Sequence, residues 1–197
     1  MKHLTLNGSL RTVGKKADVK AVRRNEQVPC VLYGAGIENV AFSIDAKDLK
    51  ALTHTPYSHI VDLNVDGKAY VAKLQAIQYH PVTDEARHVD FLVLDPSKPV
   101  TIEVPVKIFG NSVGVRQGGK LYQAVRKLRI SGLIDNLPDE LPVDITPLGV
   151  GKQISAGDLS FDNIQIVSPK ATLVCAIKAT RAAATATTEE AAAPAAE

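Results

Sequence analysis

Two runs of alternating residues meet at the dipeptide Asp66-Gly67, and this feature constrains the fold of the chain more than any other. The runs are HIVDLNV and AYVAKLQAIQY. Alternation is typical of a β-strand with one buried face, and Asp-Gly is a preferred two-residue turn because it tolerates positive φ. The sequence therefore predicts an antiparallel hairpin. Further strands are predicted over residues 2–11, with Leu4, Leu6 and Leu10 inward, and over 31–33, 40–44 and 88–94.

The segment between the first two predicted strands concentrates positive charge, although the net charge of the whole chain is only +2. Fourteen residues hold one acid, Asp18, and six cations, which are Arg11, Lys15, Lys16, Lys20, Arg23 and Arg24. The spacing predicts a helix from Lys16 to Gln27, ended by Pro29, with most of these cations on one face. Like charges four residues apart destabilise a helix, and the phosphates of a nucleic acid would relieve the repulsion. The alternative is an ordinary solvated face.

The rest of the chain predicts a mainly β protein with short helices and two domains. Asp45 is a suitable N-cap for a second helix, in which Leu49 and Leu52 share a face. The run DPSKPV at 95–100 predicts a boundary between a first domain, 1–94, and a β-rich second domain, 95–180. Within the latter, VGVRQGGKLYQ is expected to be a flexible turn or a sheet bend, and it lacks the ending of a phosphate-binding loop. The alanine-rich residues 181–197 are predicted to form a disordered tail.

The composition excludes several classes of function. No apolar run approaches the roughly 20 residues of a membrane span, and the N-terminus is too polar for a signal peptide, so we expect a cytoplasmic protein. Cys30 and Cys175 lie among aliphatic residues and are predicted to be buried free thiols. Aromatic residues make up only 5% of the chain, which argues against a stacking platform for single strands. A structured RNA, recognised by shape, fits better.

The segment LQAIQYHPVTDEARHVDF, residues 74–91, holds the polar residues that need a chemical interpretation. His88 and Asp90 are two apart in a predicted strand and therefore share a face. A metal site would require a third ligand, for which only His80 is near, and a catalytic pair would require a nucleophile in a recognisable motif. The third interpretation is a polar strand face. Its glutamine, histidine and aspartate side chains would read base edges and ribose hydroxyls while the basic helix holds phosphates.

Three motifs in order, R-x-x-GKKA, VPCVLYG and Q-x-x-Q-x-HPV…HVDF, resemble the bacterial large-subunit ribosomal protein twenty-five family. The resemblance extends to about residue 180 and includes the long form known as general stress protein Ctc. It implies a six-stranded β-barrel for the first domain, binding to 5S ribosomal RNA, and a place in the central protuberance of the large subunit. The matching RNA-contact positions are Arg11, Lys15, Lys20, Arg23, Tyr33, Gln75, Gln78, His88 and Asp90. Lys16 and Arg24 join them from the basic helix.

The sequence departs from the family pattern at three places. The basic helix carries one extra residue around Asp18–Val19, and Ala21 stands where the family has an arginine. Tyr79 replaces the usual arginine before His80-Pro81, where its ring would stack instead of pairing with phosphate. We include Tyr79 among the expected RNA contacts.

The sequence thus predicts a structural ribosomal protein that is not an enzyme. Its expected partners are 5S rRNA and other proteins of the central protuberance, with no cofactor, metal, membrane or small-molecule substrate. Two alternatives stay open, a stand-alone RNA- or tRNA-binding module and a stress-related protein-interaction module. The cluster of Arg126, Lys127 and Arg129 in the second domain indicates either a further RNA contact or a charged edge that prevents strand pairing.

Overall fold

The computed structural model describes residues 2–34, 36–161 and 163–180. The chain forms two compact units, the first of which takes in the chain up to Val100 together with Leu133–Asp139. The second unit holds Thr101–Gly132 and the chain from Glu140 onward. No helix among the described residues is long and apolar enough to cross a membrane.

The first unit is built on a closed barrel of six strands, which confirms the predicted fold. In chain order its elements are β1 (His3–Leu10), α1 (Lys16–Arg24), β2 (Gln27–Gly34), β3 (Ile37–Asp45), α2 (Ala46–Thr53), β4 (Ile60–Val65), β5 (Lys68–Tyr79) and β6 (Ala86–Val93). The strands pair in the order β1-β3-β2-β6-β5-β4, and the parallel pairing of β1 with β4 closes the barrel. On its other edge β1 pairs with β3 only at Ser9 and Leu10.

The predicted hairpin is confirmed at its turn. Val65 pairs with Lys68 across Asp66 and Gly67. Both turn residues have positive φ, at 46° and 80°, which is the type I′ geometry whose twist matches that of the flanking strands.

The barrel interior is filled by apolar side chains from all six strands and from α2. Phe42 and Phe91 are fully buried, with ring centroids 5.9 Å apart. Leu49 and Leu52 of α2 are also buried in this core. The helix begins where predicted, with Asp45 at the N-cap, but the Asp45 side chain makes no capping bond and instead accepts from Gln27 Nε2 at 3.3 Å.

Two details of the first domain were predicted wrongly. Leu10 is 54% exposed, because β1 pairs with β4 only as far as Gly8 and Leu10 lies beyond that closed part of the wall. The basic helix ends at Arg24, not at Gln27, because Glu26 takes a left-handed conformation with φ 58°. Gln27 therefore begins β2, and Pro29 lies within that strand opposite Ser43.

The second unit contains two smaller sheets, which confirms a β-rich C-terminal part. Its elements are β7 (Val100–Phe109), α3 (Val113–Arg116), β8 (Lys120–Gln123), β9 (Lys127–Gly132), β10 (Leu141–Asp144), β11 (Gln153–Ser155), β12 (Gln165–Ile166) and β13 (Leu173–Lys178). The strand orders are β10-β7-β9-β12 and β11-β13-β8. The expected flexible turn is wrong, because its VGVR part forms α3 and its KLYQ part forms β8. The predicted tail, 181–197, lies outside the described residues.

The thiols of both cysteines are buried and free, as predicted. Burial raises the pKa of Cys30 to about 12 and also raises the pKa of Cys175. Neither thiol is therefore ionised near neutral pH, so neither has the reactivity of a catalytic nucleophile.

Replacing Phe91 by alanine is expected to lower the free energy of unfolding of the first unit by about 3–5 kcal/mol, because it leaves a large cavity beside Phe42. Urea denaturation measures the change. Val82→Ala is the control, since Val82 is 83% exposed and its loss should change stability by less than about 0.5 kcal/mol. A similar small change for Phe91→Ala would contradict the described core.

Candidate nucleic-acid interface

Helix α1 presents its cations to solvent. None of its residues is buried, and Lys16, Lys20, Arg23 and Arg24 are all exposed. The one acid in the helix, Asp18, accepts a hydrogen bond from the backbone N–H of Lys15 at 2.8 Å. Asp18 therefore stabilises the positive N-terminal end of the helix and does not lie in an ion pair with the row of cations. The exposed face stays strongly basic.

Arg23 attaches the end of α1 to the barrel. Its Nε and Nη2 atoms donate to the backbone carbonyl of Arg87 at 3.3 and 3.0 Å. Partial burial, together with the charges of Arg87 and Arg11, lowers the pKa of Arg23 from its ordinary value. Three guanidinium groups thus lie near one another. Arg11 Nε is itself buried and makes no hydrogen bond within the described part of the chain, so this cluster favours a bound anion such as phosphate.

His88 and Asp90 lie together on the outer face of β6, as predicted. His88 Nδ1 is 2.8 Å from Asp90 Oδ1, the distance of an ion pair, although the two groups are not aligned for a hydrogen bond. Their side chains are 25% and 30% exposed. The intervening Val89 and the following Phe91 are fully buried in the barrel core. The alternation of the strand therefore fixes which side chains solvent or a ligand can reach.

A bulge in β5 puts Gln75 and Gln78 on the exposed side of the same sheet. The register shifts between Leu74 and Ala76, so Gln75 is the extra residue, while Gln78 lies opposite His88. Regular alternation would put two residues three apart on opposite faces. The bulge instead keeps both glutamines exposed, whereas Leu74 and Ile77, also three apart, both pack against the core.

The neighbouring strand β2 extends this polar face. It runs parallel to β6, with Val31 beside Asp90 and Tyr33 beside Leu92. Cys30 and Leu32 alternate with them and are fully buried. Tyr33 is half-buried, and its place on the outer side of β2 is adjacent to the polar residues of β6.

The structure does not put Tyr79 with the other expected contacts. A second register shift follows Gln78, and Tyr79 pairs with Ala86. Tyr79 is 47% exposed and lines a groove at one end of the barrel instead of the outer face that carries Gln78. Neighbouring residues of a strand face opposite sides, so the alternation of β5 already separates Tyr79 from Gln78.

Arg87 is the residue of this region that sequence analysis missed. It lies in β6 next to His88, is exposed, and supplies both the carbonyl that holds Arg23 and a charge near it. The sequence feature that could have identified Arg87 was its position directly before His88 and Asp90.

The described residues do not support a metal centre, because they hold no group of three His, Cys, Asp or Glu side chains placed to bind an ion. His80 is used by the turn between β5 and β6, where its Nδ1 accepts from the backbone N–H groups of Val82 and Thr83 at 3.3 and 3.2 Å.

The basic cluster of the second unit is partly neutralised. Arg129 Nε donates to Glu103 Oε1 at 2.9 Å. The ion pair reduces the net positive charge of this strand and weakens the case for a phosphate contact there.

Two family models match the chain. The Ribosomal L25p family matches residues 6–91, and the family described as ribosomal protein TL5, C-terminal domain, matches residues 99–181. A protein of Phocaeicola vulgatus named large ribosomal subunit protein bL25 is 45% identical over 93% of this chain and 96% of its own length. Proteins of the same name from Bacteroides thetaiotaomicron and Porphyromonas gingivalis are 43% and 42% identical, again over 93% of this chain and over 95% and 96% of their own lengths.

Replacing Arg23 by alanine is expected to loosen α1, because it removes both bonds to the Arg87 carbonyl. Because both bonds go to one exposed carbonyl oxygen, the two together contribute about 0.5–1 kcal/mol, so amide hydrogen exchange in α1 should become roughly two- to fivefold faster. Arg24→Ala is the matched control, with the same side chain at the next position. Equal exchange in the two variants would show that Arg23 does not anchor the helix.

Proposed function

This chain belongs to the ribosomal L25p family, as a structural protein of the large ribosomal subunit, and we propose that its first unit binds 5S rRNA in the central protuberance. The family consists of ribosomal proteins, which bears out the prediction that the chain is not an enzyme. The protein is part of the cytoplasmic ribosome, where it lies beside the other proteins of the central protuberance.

The observation that carries the proposal is that one contact holds the basic helix α1 beside the polar face of β6. The cations of α1 suit phosphates, which position a protein without reading sequence. The polar face of β6 suits base edges and ribose hydroxyls, which distinguish one RNA from another. The bond from Arg23 to the Arg87 carbonyl holds the first surface beside the second. A helical RNA that spans both would be held by its backbone and read along one groove.

The residues of the polar face divide by chemistry. Asp90 would be repelled by phosphate, so its role is to accept from an exposed amino or hydroxyl group, and His88 lies 2.8 Å from it. Gln78, opposite His88 in β5, offers both a donor and an acceptor. Lys15, Lys16, Lys20, Arg24 and Arg11 are assigned to phosphates, with Tyr33 and Gln75 at the margins of the strand face.

The choice of 5S rRNA rests on the family resemblance, whereas the geometry supports a structured RNA in general. No observation among the described residues favours a stand-alone tRNA-binding module or a stress-related interaction module. The relatives that match 93% of the chain carry the name of a large-subunit protein.

Separate loss of the two surfaces tests the proposal. His88→Ala or Asp90→Asn should weaken binding to 5S rRNA by about 1–3 kcal/mol, the range for hydrogen bonds with a charged group, and should leave binding to an unrelated RNA duplex almost unchanged. Lys16→Ala combined with Lys20→Ala should weaken binding to both RNAs and reduce the log–log salt slope by roughly 0.7–0.9 for each phosphate that the variant no longer neutralises. Filter binding at several salt concentrations measures both effects.

Lys68→Ala is the control for the lysine variants, because Lys68 is exposed at the β4–β5 turn, outside the proposed interface. If the His88 and Asp90 variants lose affinity equally for both RNAs while keeping their melting temperature, the strand face does not read the RNA. An unchanged salt slope for the lysine variant would mean that α1 faces solvent.

A further inference from the structure

A groove of about 670 Å³ opens at the end of the barrel where β2 and β6 begin and β5 ends. Its walls are the C-terminal end of α1, the exposed side of α2 and the turn between β5 and β6. This volume lies within the range of about 300–1,000 Å³ that small-molecule sites occupy, so the groove is large enough to take one nucleotide.

The side chains of the groove match the parts of a nucleotide. The half-exposed ring of Tyr79 lines one wall, and an aromatic ring is the side chain on which unstacked bases pack. Arg23 and Arg87 lie on the α1 side, close enough for the charge of Arg87 to lower the pKa of Arg23. Two neighbouring guanidinium groups suit a phosphate, because each can donate two hydrogen bonds to it.

Acidic side chains also line the groove, and they limit where a phosphate can lie. Glu26 Oε2 is 3.8 Å from Lys47 Nζ, so its charge is partly balanced. Glu85 Oε2 accepts from the Thr83 hydroxyl at 3.3 Å. The carboxylates of Asp84 and Glu85 lie on the β5–β6 turn, whereas α2 contributes lysines to the groove. A base suits the turn side of the groove better than a phosphate, because carboxylates accept from its amino and imino groups.

We propose that this groove binds one unpaired nucleotide of the ribosomal RNA, with its base stacked on Tyr79 and its phosphate between Arg23 and Arg87. The inference rests on the proposed function, because the same RNA must already lie on α1 and β6. Arg23 and Arg87 border both the groove and the proposed interface, so a nucleotide turned out of the RNA beside α1 reaches the ring. Tyr79 is then a specificity-determining contact for a looped or bulged RNA rather than a substitute for a phosphate-binding arginine.

Two variants of Tyr79 in the full-length chain test the proposal against 5S rRNA. Tyr79→Leu removes the ring and should weaken binding about 5- to 150-fold, the effect of removing one base–aromatic stack. Tyr79→Phe keeps the ring and should bind within about twofold of the unaltered chain. Tyr122→Leu is the matched control, because Tyr122 is 44% exposed but belongs to the second unit. Its affinity should not change.

Chemical probing of the same complexes identifies the ligand. The base of at least one unpaired nucleotide should be protected from modification by the unaltered chain and by Tyr79→Phe, and should become reactive again with Tyr79→Leu. If Tyr79→Leu also lowers the melting temperature, Arg87→Gln, at an exposed position, tests the phosphate end of the groove through the same protection.

Three results would overturn the proposal. Tyr79→Leu could bind as tightly as the unaltered chain, or lose affinity without exposing any unpaired base, or lose it equally with Tyr79→Phe. In all these cases the unaltered chain still binds 5S rRNA, whereas failure of the unaltered chain to bind would overturn the proposed function and the groove site with it.

Discussion

The burial of Val89 and Phe91 inside the closed barrel is the constraint on which the rest of the first unit depends. Because side chains alternate along a strand, these two apolar residues force His88 and Asp90 outward. A register slip of one residue would bury an ionic pair and expose a phenylalanine, both of which are costly. The core therefore determines the position of the polar face, and no loop or flexible segment has to hold it. Precise placement of this kind is what recognition by hydrogen bonds requires.

The basic helix depends on the barrel in a different way. Helix α1 contributes no fully buried side chain, and the apolar stripe that positions most surface helices is reduced here to the half-buried Val19 and Val22. The two bonds from Arg23 to the Arg87 carbonyl add to this small apolar contact. A lightly held helix that carries a row of cations could adjust to an RNA groove while staying next to the proposed reading face.

Strand periodicity and turn chemistry were sufficient to predict the hairpin at Asp66-Gly67, the shared face of His88 and Asp90, and the start of α2. The family resemblance added the closed barrel, which pairs strands far apart in the sequence. The errors arose where backbone geometry departs from the regular pattern. The left-handed conformation of Glu26 ended α1 before Gln27, and the incomplete pairing of β1 with β4 exposed Leu10. The bulge at Gln75 had no signal in the single sequence either, because bulges are set by the partner strand.

The central claim is that α1 and the outer face of β6 bind 5S rRNA together, and acylation footprinting of lysines tests it most directly on the full-length chain. Lys15, Lys16 and Lys20 are exposed around α1, and Lys68 is exposed at the β4–β5 turn. The account predicts that saturating 5S rRNA protects the three lysines near α1 and leaves Lys68 reactive. Unchanged reactivity at Lys15, Lys16 and Lys20, or equal protection of Lys68, would contradict it.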